Sequence, residues 1–167
     1  MVKKLIIALV LALAASLAWH WFFPSEEEKI RRQFREMAKL TSKEADESGL
    51  EMALKVRQLQ EQLAPDVTII VAEAEEERRY ELKRTETGRP LIAFRNGFSS
   101  LRVSFHDMEV TITGQQQAQV SATLLLQTRL SAGEEPGSEA HLINCHLSPG
   151  AEGWLMERLT LPPALTR

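Results

Sequence analysis

The chain has one cysteine, one tyrosine and no surplus of basic charge, and each shortage removes a class of function. A lone Cys145 excludes an intrachain disulfide and any cysteine-rich zinc framework. Tyr80 sits in a densely charged stretch, so an oxyanion hole built on tyrosine would have to draw on that one position. Lysine and arginine number 20 against 23 aspartate and glutamate, for a net charge of -3. Lys3 and Lys4 both precede an N-terminal apolar run, so the remainder of the chain is more acidic still. No basic stripe remains to neutralise phosphates, which argues against nucleic acid as a partner. A glycine-rich phosphate loop, a Gly-x-Ser-x-Gly elbow and a His-Glu-x-x-His helix are missing as well. Nothing in the residues calls for a cofactor.

The N-terminus carries an uncharged run over residues 5–23, broken late by His20. Leu5, Leu9, Leu13 and Leu17 lie along it, and its 19 residues would span about 28 Å as a helix, close to the ~30 Å hydrocarbon core of a bilayer. Trp19, Trp21, Phe22 and Phe23 carry the run past Ser16-Leu17-Ala18, a small-x-small cleavage site. Such aromatic residues concentrate at the membrane–water interface. The expectation is a single-pass anchor in the cell inner membrane, residues 1–24, with a cleaved signal segment as the alternative. The two lysines hold the N-terminus in the cytoplasm and place the rest on the periplasmic, extracytoplasmic side.

Residues 25–163 read as one α+β domain and residues 164–167 as a tail. Ser25 with Glu28 fits a capping box, and Ile30, Phe34, Met37 and Ala38 form an apolar stripe on a helix over residues 26–40. Ser42 is a candidate cap for a second helix carrying Met52, Val56, Leu59 and Leu63, ended by Pro65. Residues 67–72 are β-branched and read as a strand. Residues 73–87 suit either a strand extension or an exposed loop, with 75–79 as a solvated charged face. Pro90 opens a short third helix containing Leu91, Ile92, Phe94 and Phe98.

From Leu101 the apolar period becomes two. Leu101, Val103 and Phe105 share one parity, whereas Met108, Val110 and Ile112 share the other, so a bulge is expected at His106-Asp107. Strands over 117–130, 141–147 and 154–161 complete an antiparallel meander. Helices first and strands afterwards indicate a curved, mainly antiparallel sheet wrapped around about three helices.

The paired amphipathic helices, the run LRVSFHDMEVTITGQQQAQVSATLLLQTR and the closing GAEGWLMERLTL together resemble the nuclear transport factor two-like, or SnoaL-like, superfamily. That resemblance implies a cone-shaped domain. It also implies a wide choice of roles, since the superfamily holds isomerases, dehydratases, polyketide cyclases and non-catalytic pocket or assembly modules. Its enzymes use acids, histidines or tyrosines pointing into the cone.

Four groupings are candidates for chemistry. His106 as base with Asp107 as its orienter is the first, although neighbours on a regular strand point to opposite faces and only the bulge could join them. His141 and Cys145 share a face but lie about 13 Å apart at ~3.3 Å per residue. Cys145 and His146 face opposite ways, which leaves neither a metal set nor a nucleophile pair. Arg95, on the third helix, is a candidate contact for an anionic ligand at a cone mouth, with an exposed surface charge as the alternative. Trp154 is expected to anchor the core at the start of the last strand. The functional expectation is a membrane-tethered, non-catalytic binding or assembly domain. Its partners would be the bilayer through residues 5–23, a second copy or another protein through the Leu125 side of the sheet, and a small-molecule ligand. The alternative is an isomerase, dehydratase or cyclase using His106 and Asp107.

Overall fold

In the computed structural model the described residues are 24–72, 77–113, 116–130 and 135–162. The expected membrane segment, with Leu5, Leu9, Leu13, Leu17, Trp19, Trp21, Phe22 and Phe23, lies outside them. Among the described residues no helix is long and apolar enough to cross a membrane.

Helix α1, Glu26–Thr41, begins where the sequence places it: the Ser25 hydroxyl accepts from the Glu28 amide at 3.2 Å, and three glutamates occupy the first turn. Its buried face is the expected Ile30, Phe34, Met37 and Ala38. Ser42 does not open the second helix. It ends α1 instead, donating its hydroxyl to the Ala38 carbonyl at 2.8 Å and accepting from the Val103 amide at 2.9 Å. The next residue, Lys43, pairs with Leu101 in a β-bridge, which holds the chain extended where a helix would have to start. Helix α2, Gly49–Glu61, is capped by Ser48, with Glu51 returning to the Ser48 amide in a full capping box.

Strand β1, Leu63–Ala72, starts earlier than residue 67, because Leu63 already pairs with Met156 and the Gln62 carbonyl accepts from the Met156 amide at 3.0 Å. Pro65 falls at the irregularity between Leu63 and Thr68, where a missing N–H costs no ladder bond. Strand β2, Glu77–Lys83, settles the described part of the ambiguous charged stretch, residues 73–76 lying outside the described residues. It pairs antiparallel with β1 along the sheet edge and turns Arg78, Arg79 and Glu81 to solvent. Charge on an edge strand discourages further pairing. A single 3-10 turn, Arg84–Glu86, leads into α3, Gly88–Asn96, with Pro90 in its first turn.

The meander consists of β3 (Ser100–Thr113), β4 (Gln117–Arg129), β5 (Gly137–Pro149) and β6 (Trp154–Leu161). Strand β5 exceeds the expected 141–147 because β4 offers partners as far as Thr128, opposite Gly137. Six strands form one sheet in the order β2-β1-β6-β5-β4-β3, antiparallel throughout except for β1 beside β6. The bulge sits as expected: His106 pairs Thr123 and Glu109 pairs Ser121, so Asp107 and Met108 share the space opposite Ala122. Asp107 takes φ 48, the left-handed conformation that an aspartate tolerates better than most residues. The helices cover one face of the sheet. Phe34 from α1 meets Phe105 edge to face at 5.2 Å, and Val120, Cys145 and Leu147 are fully buried beneath the helical layer.

One polar cluster locks the helices together. Arg95 is 0% exposed, contrary to the surface-charge expectation. Its Nη1 donates to the Leu40 carbonyl and, at 2.7 Å, to that of Thr41, two of the carbonyls left without partners at the end of α1. Its Nη2 meets both Glu47 oxygens, at 2.6 and 2.5 Å, and Lys55 adds a 2.6 Å contact to Glu47 Oε1. Lys43 closes the cluster from below, donating to the Arg95 and Phe98 carbonyls at 3.2 and 2.8 Å. Burial raises the Glu47 pKa, but the hydrogen bonds from Lys55 and Arg95 outweigh it and hold the group below its ordinary 4.5.

Removing one partner of a buried pair strands the other, at a cost of about 3–5 kcal/mol. Arg95→Met is therefore expected to lower the urea midpoint at pH 7 by that much stability. Because the folded pKa of Glu47 is depressed, its contribution is fully present above 4.5 and is lost as pH falls through the lower folded value. The stability gap between wild type and Glu47→Gln should narrow across that acidic window when unfolding is followed by circular dichroism.

Candidate functional site: an apolar cavity inside the cone

Between the helices and the concave face of the sheet lies a cavity of about 370 Å³. Its walls follow from the strand parity. Val103 and Phe105 on β3, Leu124 and Leu126 on β4, Ile143 on β5, and Met156, Leu159 and Leu161 on β6 all point inward. Met37 and Thr41 from α1 and Leu59 from α2 close one side, and β1 and β2 supply Leu63, Val67, Ile69 and Leu82. Helix α3 completes the wall with Pro90, Leu91 and Phe94, preceded by Thr87. Phe94 stacks edge to face on Phe98 at 5.3 Å and remains 36% exposed, so the opening lies along α3.

Among the described residues that line it, none is ionisable. The two polar ones have already spent their protons: Thr41 donates to the Met37 carbonyl at 2.8 Å and Thr87 to the Arg84 carbonyl at 2.7 Å. An entering polar group would be desolvated without a donor to receive it, a loss on the order of 1–3 kcal/mol. The surface therefore suits hydrocarbon and offers neither a proton acceptor for general base catalysis nor a donor for an oxyanion.

His106 and Asp107 are not part of this wall. Val103 and Phe105 face inward, so the same alternation turns Ser104 and His106 to the opposite face, where His106 Nε2 lies 3.0 Å from Ser104 Oγ. Asp107 is exposed on the bulge, and no hydrogen bond joins it to His106 among the described residues. Arg95 lies behind the cavity wall, committed to Glu47, Leu40 and Thr41. His141 pairs with Glu139 at 3.1 Å, and burial pushes the Cys145 thiol up to about 12, so that it remains a packed thiol. Among the described residues no group of three His, Cys, Asp or Glu could hold a metal ion. Trp154 is half-buried, with its Nε1 donating to Glu26 at 3.0 Å and its carbonyl accepting from Gln33 at 2.6 Å. It ties the start of β6 to the first turns of α1. The Leu125 side of the sheet mixes Ser121, Thr123 and Asn144 with Leu142, which is 64% exposed.

The residues that line the cavity were visible in the sequence only as inward-facing apolar positions. Alternation marks a side chain as inward whether it meets another side chain or an empty space, so no local signal separates core from cavity.

No protein-family profile and no curated protein sequence matches the chain. Solved structures do match its shape. The Kfla4162 protein from Kribbella flavida is 17% identical with a TM-score of 0.66, over 82% of this chain and 89% of its own. A nuclear transport factor two-like protein with a cystatin-like fold from Novosphingobium aromaticivorans is 15% identical with a TM-score of 0.60, over 93% and 95%. A protein provisionally assigned as a scytalone dehydratase from the same organism is 10% identical with a TM-score of 0.57, over 81% and 78%. The domain thus has the nuclear transport factor two-like, cystatin-like α+β fold. Identities this low carry the fold and nothing finer.

Two variants check the local geometry. Asp107→Gly should leave stability unchanged or raise it by up to about 1 kcal/mol, whereas Asp107→Val should cost about 1–2 kcal/mol, as read from urea midpoints. Cys145 in the folded domain should resist a thiol-reactive disulfide reagent at pH 8 and react once the chain is unfolded in urea.

Proposed function

We propose that this chain is a membrane-tethered, periplasm-facing, non-catalytic domain that binds an apolar ligand inside its cone. The observation that carries the reading is the cavity wall, which among the described residues has no ionisable side chain and whose two hydroxyls already donate to main-chain carbonyls. The apolar run over residues 5–23 and its flanking lysines support the tether. With α1 starting at Glu26, scarcely any linker separates that run from the domain. A second copy or another protein on the Leu125 side of the sheet is compatible with the same reading.

A second reading keeps an isomerase, dehydratase or cyclase in play, because a provisionally assigned dehydratase shares the fold. It assigns His106 as base and Asp107 as orienter, and it needs both to reach a substrate from the outer face of the bulge.

The experiment is a titration of the full chain, held in bilayer discs, with an environment-sensitive apolar dye, corrected for dye taken up by empty discs. The expected result is one saturable site per chain, weakened at least tenfold by Phe94→Arg at the rim and untouched by His106→Ala. Dye binding that ignores Phe94→Arg would remove the binding reading. Turnover of a hydroxylated cyclic ketone that is lost in His106→Ala would replace it with the enzyme. Alkaline carbonate should leave the chain in the membrane fraction with Met1 at its N-terminus; a soluble form beginning at Trp19 would overturn the tether.

A further inference from the structure

We infer that the ligand is a single, unbranched hydrocarbon chain of about twelve to fifteen carbons whose polar head stays outside the cavity, an inference that rests on the apolar-ligand reading. Three features of the cavity narrow the class. The first is size. A cavity of about 370 Å³, at the ~30 Å³ that a small heavy-atom unit occupies in a liquid, holds on the order of twelve such units. Scaling from a ~150 Å³ apolar cavity that takes one benzene ring gives about fifteen.

Shape is the second. The wall runs along β6 from Met156 to Leu161, which at ~3.3 Å per residue, less the bulge beside His146, is roughly 13 Å. Spread over that length, a volume of about 370 Å³ leaves a mean cross-section on the order of 28 Å². One extended alkyl chain fits such a bore. Fused ring systems and paired acyl tails are wider. Flexible Met37 and Met156, both buried, line the wall and adapt to a chain of variable kink better than to a rigid plate.

The third feature is the lack, among the described residues, of any internal group for the head. Thr41 and Thr87 have donated their protons, so a carboxylate or ester drawn inside would lose its hydration without replacement. The head must stop at the opening along α3, where Phe94 is 36% exposed. A free fatty acid and the single tail of a larger lipid present the same chain to the wall.

The test uses the full chain in bilayer discs containing, at equal mole fraction, one of three diazirine-bearing probes: dodecanoate, a lysophospholipid with a twelve-carbon tail, or a diacyl phospholipid. Labelled peptides are then mapped. Labelling of the β4 and β6 peptides that carry Leu126 and Met156 by either single-chain probe, at least fivefold above the diacyl probe, is the expected result. Labelling by dodecanoate points to a free acid as the source, and by the lysophospholipid alone to the tail of a larger lipid. Leu126→Phe and Leu91→Trp, each checked for a native circular dichroism spectrum, should reduce that labelling about tenfold by filling the bore. Equal labelling by the diacyl probe overturns the single-chain inference. So does displacement by a four-ring sterol-shaped competitor at a concentration where unlabelled dodecanoate has no effect, and in both cases the apolar-ligand reading survives. No labelling of either peptide, together with no saturable dye binding, removes both.

Discussion

The guanidinium of Arg95, wholly buried and held by Glu47 and two carbonyls at the end of α1, sets the geometry of the helical layer. A charge with no access to water is costly unless it is paired, and here Nη1 is answered by the end of α1 and Nη2 by Glu47, whereas Nε has no partner among the described residues. The cluster joins the last turn of α1 and the 43–48 connection to α3, which carries Arg95 itself, with Lys55 of α2 drawn in through Glu47. Once they converge on one point, the three helices can no longer slide independently over the sheet. The cluster therefore fixes the position of α3, which supplies Pro90, Leu91 and Phe94 to the cavity wall.

Apolar burial does the rest, unevenly along α1. Ile30 and Phe34, in its first half, are completely buried against the sheet and leave no space. Met37 and Thr41, in its last half, face the cavity. The sheet is wider than one helix can cover at that end, and α2 and α3 roof the gap without filling it. A void lined by leucine, isoleucine, methionine and phenylalanine forfeits dispersion contacts on its inner wall. A hydrocarbon ligand restores them, which gives the empty space a physical use as a binding site and a reason to exclude polar guests.

Much of the scaffold was legible from local patterns. The stripe on α1 and the parity shift at His106-Asp107 are both registered by near neighbours: a helix buries every third or fourth residue, and a bulge inverts alternation. The site was much less legible. His106 and Asp107 attracted attention as the polar pair on β3, yet they face away from the concave side that carries the cavity. Arg95 looked like a surface charge because its partners lie about fifty residues away in the chain, at Leu40, Thr41 and Glu47. Ser48 has the capping-box glutamate three residues on, at Glu51, where Ser42 has Ala45, and the bridge from Lys43 to Leu101 excludes a helix start at Ser42.

The sequence by itself determined the α+β class, the cone-like succession of helices and meander, the site of the bulge, and the exclusion of disulfide and zinc-framework chemistry. These depend on residue type and on spacing over a few positions. Only the tertiary structure decided that β1 lies parallel beside β6, that residues 77–83 are an edge strand, that Arg95 is a lock, and that the inward leucines of β4 enclose a space. Each of those depends on which distant segments meet and how closely. An inward apolar side chain satisfies the same local rule whether it touches a neighbour or faces a void, so the cavity exists only at the level of the assembled fold.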